Sequence, residues 1–284
     1  MKTGLVLEGG AMRGLFSAGV IDRLMEENIK LDGLIGVSAG ACFGCNYKSE
    51  QIGRALRYNL DYCNDKRYCS FSSLVKTGDM YGADFCYHEL PEKLDIFDKE
   101  AFEANPMEFY LVCTDVETGE PVYHKMDKVT YDELEWMRAS ASMPLVSRIV
   151  EVGGKKMLDG GVSDSIPLKF WQSLGYEKNI VVLTQPYFYR KKKNILMPFI
   201  KAALRKYPCL VDAMARRHEM YNETLDYIAK REREGKLLVI APEYDLPVGK
   251  VEKDPEKLIN VYKIGRSITE KRLEEIKAYL EDNK

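Results

Sequence analysis

Gly36-Val37-Ser38-Ala39-Gly40 follows the apolar pair Leu34-Ile35 and precedes the small-residue stretch Ala41-Cys42-Phe43-Gly44. The stretch predicts a strand that turns sharply into a helix, lifting the Ser38 hydroxyl out of a sheet. Glycines on both sides let such a turn close without a Cβ clash. A serine so placed belongs to acyl transfer through a covalent ester. A five-residue pattern arises by chance, so the reading depends on a base and an oxyanion site elsewhere in the chain.

Upstream, Thr3 to Glu8 predicts a short buried strand, glycines 9, 10 and 14 a loop, and Leu15 to Glu27 an amphipathic helix. Leu31 to Val37 returns as a second strand. Strand, glycine loop, helix, strand implies two parallel neighbours joined by a right-handed crossover. The glycine loop and the serine turn then share the carboxyl edge of the sheet, where α/β proteins bind ligands. Each loop opens a helix, so free N–H groups and the positive dipole end face one crevice. Donors held in that way stabilise a developing oxyanion by about 3 kcal/mol each.

Downstream, Gln51 to Cys63 predicts a helix and Asp65 to Pro106 an irregular insertion over the sheet edge. Phe109 to Thr114 predicts a strand, with 121–125 paired to it. A helix follows over 131–142, ended by Pro144. Residues 149–152 and 156–158 flank Gly153-Gly154 as a hairpin. Ile180 to Thr184 and Leu237 to Ile240 predict two more strands, and 195–206, 209–233 and 254–281 predict helices. The alternation points to a three-layer α/β/α sandwich with a mostly parallel central sheet and extra C-terminal helices. We expect one domain over residues 1–284. Its motif-bearing core is about 3–185, and 186–284 is mainly helical with one further strand.

Composition narrows the function. The 284 residues are 45% hydrophobic and 30% charged with net charge −2, which gives no general attraction to nucleic acid. No apolar run approaches the ~18 residues of a membrane span. Leu5-Val6-Leu7 before Glu8 is too short for a signal-peptide core. Seven cysteines without an export signal fit reduced thiols and a cytoplasmic setting. Cys42 and Cys45 form C-x-x-C, but Cys63 and Cys69 do not supply the second tight pair of a zinc site, so no metal and no cofactor are expected.

The Gly9–Gly14 loop also invites a dinucleotide reading, with Asp32 at a tempting distance. It fails in detail: the middle glycine of G-x-G-x-x-G is Ala11, and Asp32 precedes the second strand instead of ending it. A base for Ser38 must then be sought. His88, His124 and His218 lack motif-like surroundings, and His218 lies in Arg216-Arg217-His218-Glu219, which reads as an exposed helical face. Asp159, in Leu158-Asp159-Gly160-Gly161, ends a short strand before a sharp turn. It can act as base if burial raises its pKa and geometry brings it to Ser38. Read alone, Asp-Gly-Gly is an ordinary turn.

The order Glu8-Gly9-Gly10-Ala11-Met12-Arg13-Gly14, Gly36-Val37-Ser38-Ala39-Gly40, Ala139-Ser140-Ala141-Ser142-Met143-Pro144, Asp159-Gly160-Gly161 resembles the patatin-like phospholipase family over about residues 3–185. The resemblance implies a lipid acyl hydrolase with a Ser38–Asp159 dyad and no catalytic histidine. It places the oxyanion and substrate-binding groups at Gly9, Gly10, Ala11, Met12 and Arg13, with Gly36, Gly40, Gly160 and Gly161 supporting the turns. The family usually has glycine where this chain has Ala11, a substitution that costs little at negative φ and more at positive φ.

The substrate expected is a lipid or other acyl ester. Tyr187-Phe188-Tyr189-Arg190-Lys191-Lys192-Lys193 and Ile195 to Ile200 combine aromatic, basic and apolar residues suited to peripheral membrane contact. The alternative is a catalytically weak binding or regulatory protein on the same scaffold. The sequence does not specify headgroup, chain length or oligomeric state.

Overall fold

Successive residues of the buried strands point to opposite faces of one sheet, and both faces are covered. Leu5 and Leu7 enter one core with Leu34, Phe109, Leu111, Ile180 and Val182. Val6 enters the other with Ile35, Val37, Val112, Val181 and Val239. Covering on two sides explains why these strands read as continuous apolar runs and not as alternating ones. The computed structural model describes residues 1–282.

The strands are β1 (Lys2–Leu7), β2 (Gly33–Val37), β3 (Glu108–Asp115), β4 (Pro121–Lys125), β5 (Val150–Val152), β6 (Lys155–Asp159), β7 (Tyr176–Val182) and β8 (Leu237–Ile240). They pair along the path β5-β6-β3-β2-β1-β7-β8, with β4 also on β3. β1 is parallel to β2 and β7, β2 to β3, and β7 to β8.

The helices are α1 (Gly14–Glu26), α2 (Ala39–Lys48), α3 (Arg54–Tyr62), α4 (Phe71–Thr77), α5 (Lys99–Ala104) and α6 (Tyr131–Ser140). They continue as α7 (Leu168–Ser173), α8 (Met197–Ala203), α9 (Pro208–Arg233), α10 (Pro255–Lys271) and α11 (Leu273–Glu281). α1, α2 and α10 cover one face, α7 and α9 the other, giving the α/β/α sandwich. The C-terminal segment joins this sandwich directly: β8 extends the sheet, and α10 ties to α1 through Tyr262 Oη donating to Asp22 (2.7 Å) and Arg266 to Glu26 (2.7 Å).

One pairing detail positions the site. β4 meets β3 at residues 110–114, overlapping both the 108–112 ladder with β2 and the 113–115 ladder with β6. A strand has two edges, so β2 and β6 must share the edge opposite β4. β2 ends at Val37 opposite Val112, and β6, running the other way, ends at Asp159 opposite Cys113. The two carboxyl ends therefore meet head-on.

Element boundaries differ from the sequence reading for local reasons. The 254–281 helix is broken at Arg272, whose guanidinium turns to the Val239 carbonyl and Glu275. The helix predicted from Gln51 begins at Arg54 because Gly53 adopts φ 78°, and 195–206 shortens to α8. The 65–106 insertion holds α4, a wide helical segment (Phe85–Leu94) and α5. Its order comes from aromatic edge contacts, Tyr68 on Tyr81 (5.9 Å) and Phe85 on Tyr62 (5.4 Å), which have no helical period to betray them.

Candidate active site

Ser38 occupies the turn between β2 and α2 with φ 55° and ψ −124°. That backbone is strained for a side chain with a Cβ, at about 1–3 kcal/mol, and such strain gathers at functional turns. Two contacts hold it. The Ser38 N–H donates to Ser140 Oγ (3.1 Å), and the Ser140 hydroxyl donates to the Val112 carbonyl (2.7 Å). Ser140 thus links the turn to β3, and Ser142 accepts the Asp159 N–H on its carbonyl (2.8 Å). The Ala-Ser-Ala-Ser block braces both candidate residues through β3 and β6, which the sequence reading did not assign.

Asp159 is buried and accepts a hydrogen bond from the Gly161 N–H (2.7 Å), and the Ser38 side chain is close enough to act on its carboxyl. Burial pushes its carboxyl above the usual aspartate range. The Ser38 side chain, the Arg217 charge, the Gly161 N–H and the Lys250 charge pull in the opposite direction. The result is a carboxylate more basic than one in water, beside a serine side chain.

The Gly9–Arg13 loop lies against this pair. A Cβ at Gly9 would meet the Val37 carbonyl oxygen at 2.9 Å and Ser38 Cβ at 3.0 Å, so only glycine permits the approach. Among the described residues the Gly10 and Ala11 N–H groups have no protein acceptor. Ala11 sits at φ 50°, the costly case for a methyl group, at about 1 kcal/mol. Its N–H is nonetheless in the same turn as that of Gly10. The loop is anchored by buried Glu8, whose carboxylate accepts from the Thr184 N–H (2.6 Å) and from Tyr221 Oη (2.6 Å).

A cavity of about 110 Å³ opens beside Ser38, lined by Ala11, Met12, Phe43, Tyr58, Leu90 and Phe97 among others. Its walls come largely from α2, α3 and the insertion. Cys42 and Cys45 also line it; burial pushes both thiols up to about 12, so they remain protonated packing groups. Among the described residues no group of three or more His, Cys, Asp or Glu side chains is placed to hold a metal ion.

The histidines serve elsewhere. His88 bonds Glu135 (2.9 Å) and stacks on Tyr131, while His124 bonds Glu133 (2.6 Å) and stacks on Trp136. His218 meets the Ala215 carbonyl (3.0 Å). Its neighbour Arg217, read as part of an exposed face, turns inward and donates to the Gly161 carbonyl.

The model of the patatin-like phospholipase family matches residues 5–170, and that of a domain of unknown function (DUF6363) matches 207–281. The uncharacterized protein YjjU of Escherichia coli is 30% identical over 195 residues, covering 65% of this chain and 52% of that protein. Lysophospholipase nte1 of Aspergillus terreus is 29% identical over 182 residues, 61% of this chain and 11% of the relative. The chain thus spans about half of the first relative and a tenth of the second. Among solved structures, VipD from Legionella pneumophila aligns with a TM-score of 0.49 at 13% identity, covering 96% of this chain and 67% of that one. With the family model spanning more than half of its residues, the chain belongs to the patatin-like phospholipase family.

Proposed function

We propose that the chain is a lipid acyl hydrolase in which Ser38 is the nucleophile and Asp159 its base. The observation that carries the reading is the meeting of Ser38 with a buried carboxylate of raised pKa at the head-on junction of β2 and β6. Ser38 Oγ attacks the acyl carbonyl while its proton passes to Asp159. The N–H groups of Gly10 and Ala11 bind the oxyanion. Collapse expels the alcohol, which takes the proton from Asp159 and leaves an acyl-serine. Asp159 then deprotonates a water that attacks the ester, releasing the carboxylic acid and restoring Ser38. The acyl chain occupies the apolar cavity, and no metal or cofactor takes part. A fluorophosphonate probe should label Ser38, with the adduct located by peptide mass spectrometry. A parent chain that stays unlabelled would favour the binding or regulatory alternative.

Substrate reaches the site from a lipid surface. Phe188, Ile195, Leu196 and Phe199 are exposed large hydrophobic residues, Ile195 at 90%, interspersed with exposed Arg190, Lys192, Lys193 and Lys201. Apolar side chains among cations suit the headgroup layer of an anionic membrane. Among the described residues no helix is long and apolar enough to cross a membrane. Co-sedimentation with anionic vesicles should exceed that with neutral vesicles and fall severalfold in the Ile195→Glu/Phe199→Glu variant. Equal sedimentation of parent and variant removes the surface from the proposal.

A further inference from the structure

Four cations lie near the candidate dyad, Arg217 and Lys250 acting on Asp159 and Arg13, Arg217 and Lys250 on Lys191, and three of the four lie beyond the matched patatin-like core. Arg13 ends the Gly9–Arg13 loop. Its Nε is buried without a hydrogen-bond partner. Lys191 is clamped by its backbone to Asn222, donating N–H to Oδ1 (2.8 Å) and accepting from Nδ2 (3.0 Å), and its ammonium stands 4.3 Å over the Tyr221 ring. Arg217 bonds the Gly161 carbonyl beside Asp159. The Lys250 carbonyl accepts from Tyr81 Oη (3.1 Å), fixing its loop against the insertion.

Among the described residues none of the four forms an ion pair, although their neighbours do: Arg190 pairs with Asp226 (2.8 Å) and Arg216 with Asp212 (2.6 Å). The nearby carboxylates are already engaged, Glu8 by Thr184 and Tyr221, and Asp159 by Ser38 and Gly161. Four cations against these two carboxylates leave an excess of positive charge that an anionic ligand would offset.

We propose that Arg13, Lys191, Arg217 and Lys250 bind a phosphate on the alcohol side of the scissile ester, so that the 207–281 segment, together with Lys191, selects phosphorylated substrates. The inference rests on the hydrolase reading above. None of the four is among the residues lining the apolar cavity, which leaves that cavity to the acyl chain. Two guanidinium groups offer forked donors to phosphate oxygens, and the lysines add point charges. The crowding is visible in Lys191: burial, and then Arg217, Arg13 and Lys250, hold its ammonium down to about 8, with Glu8 opposing. Lys250, at an exposed position, is lowered by desolvation of its ammonium and by Arg217 and Arg13, with Asp159 opposing. A bound phosphate relieves both.

The test compares two short-chain, monomeric substrates, 1-octanoyl-glycerol and 1-octanoyl-glycerol 3-phosphate. The parent should favour the phosphorylated ester in kcat/KM by about tenfold or more, as expected for charge-assisted hydrogen bonds. The Lys191→Met/Lys250→Met double variant should lose about tenfold of that ratio. Lys263→Met, an exposed lysine on α10, should keep the parental ratio. A parental ratio near one, or a ratio untouched by the double variant, overturns the proposal.

Calorimetric titration of Ser38→Ala with glycerol 3-phosphate decides the site without turnover: Kd should weaken about tenfold when both lysines are replaced. If Ser38→Ala still hydrolyses esters, the hydrolase reading fails while this titration continues to judge the anion site. If the double variant changes anionic-vesicle binding but not glycerol 3-phosphate binding, the cations serve the membrane surface and the phosphate proposal falls.

Discussion

Ser38→Ala and Asp159→Asn should each lower kcat for p-nitrophenyl acyl esters by about four orders of magnitude, since a nucleophile and its base act as one unit. The double variant should be hardly slower than either single one, because removing either partner already disables the proton transfer. Retention of more than a few per cent of activity in either single variant would remove the dyad mechanism.

The pH profile supplies an independent reading. The base form of Asp159 is required, so kcat/KM should fall on the acid side. Burial places that fall above the ordinary aspartate value of 3.8, while Ser38, Arg217, the Gly161 N–H and Lys250 limit the rise. The same shift acts on stability with a definite sign. A carboxyl whose folded pKa exceeds its unfolded one contributes stability below the unfolded pKa and loses it as pH rises through the folded value. At neutral pH the buried charge therefore works against the fold. Asp159→Asn should melt no lower than the parent at pH 7 even as activity collapses; a marked drop in Tm there would show the carboxylate to be a structural brace instead.

Gly40→Ala should cost about 3 kcal/mol of stability, the upper range for forcing an extra carbon into packed backbone. A Cβ there would lie 2.5 Å from the Leu7 carbonyl oxygen and 3.0 Å from the Glu8 carbonyl oxygen. Both are main-chain atoms of the adjoining strand end, which cannot swing aside as a long side chain would. The first turn of α2 must retreat from β1, carrying Ser38 away from Asp159 and the glycine loop. Activity should thus fall further than the unfolded fraction explains. Chemical denaturation and kcat measured on the same preparation check the two effects, and a variant with parental values of both refutes the packing argument.

The fold was legible where the chain is periodic. β1, α1, β2 and the start of α2 follow from apolar runs and glycine spacing, because burial on both faces leaves little choice of residue. Ser38 and Asp159 were readable as motifs, whereas the reason they meet lies in which edge of β3 each strand occupies, and that is set by long-range pairing. The cations were the least readable. Lys191 and Lys192 are adjacent in one basic run, yet Lys191 is half-buried over Tyr221 while Lys192 faces solvent. Arg216 and Arg217 diverge in the same way, one to a surface carboxylate and one to the Gly161 carbonyl. Lys250 lies in a loop with no local pattern. Such partners come from tertiary placement, which a charge count along the chain does not contain.

The head-on junction of β2 and β6 also governs timing. Ser38 belongs to the early, locally wound part of the chain, whereas Asp159 arrives only when β6 docks on β3 much later in sequence. Contacts of such separation form slowly, since loop closure precedes any gain from them. On the proposed mechanism, a nascent or partly unfolded chain carries a serine with no base and is harmless to the lipids around it. Competence would then switch on only when β6 docks on β3, making that pairing the safeguard against premature hydrolysis.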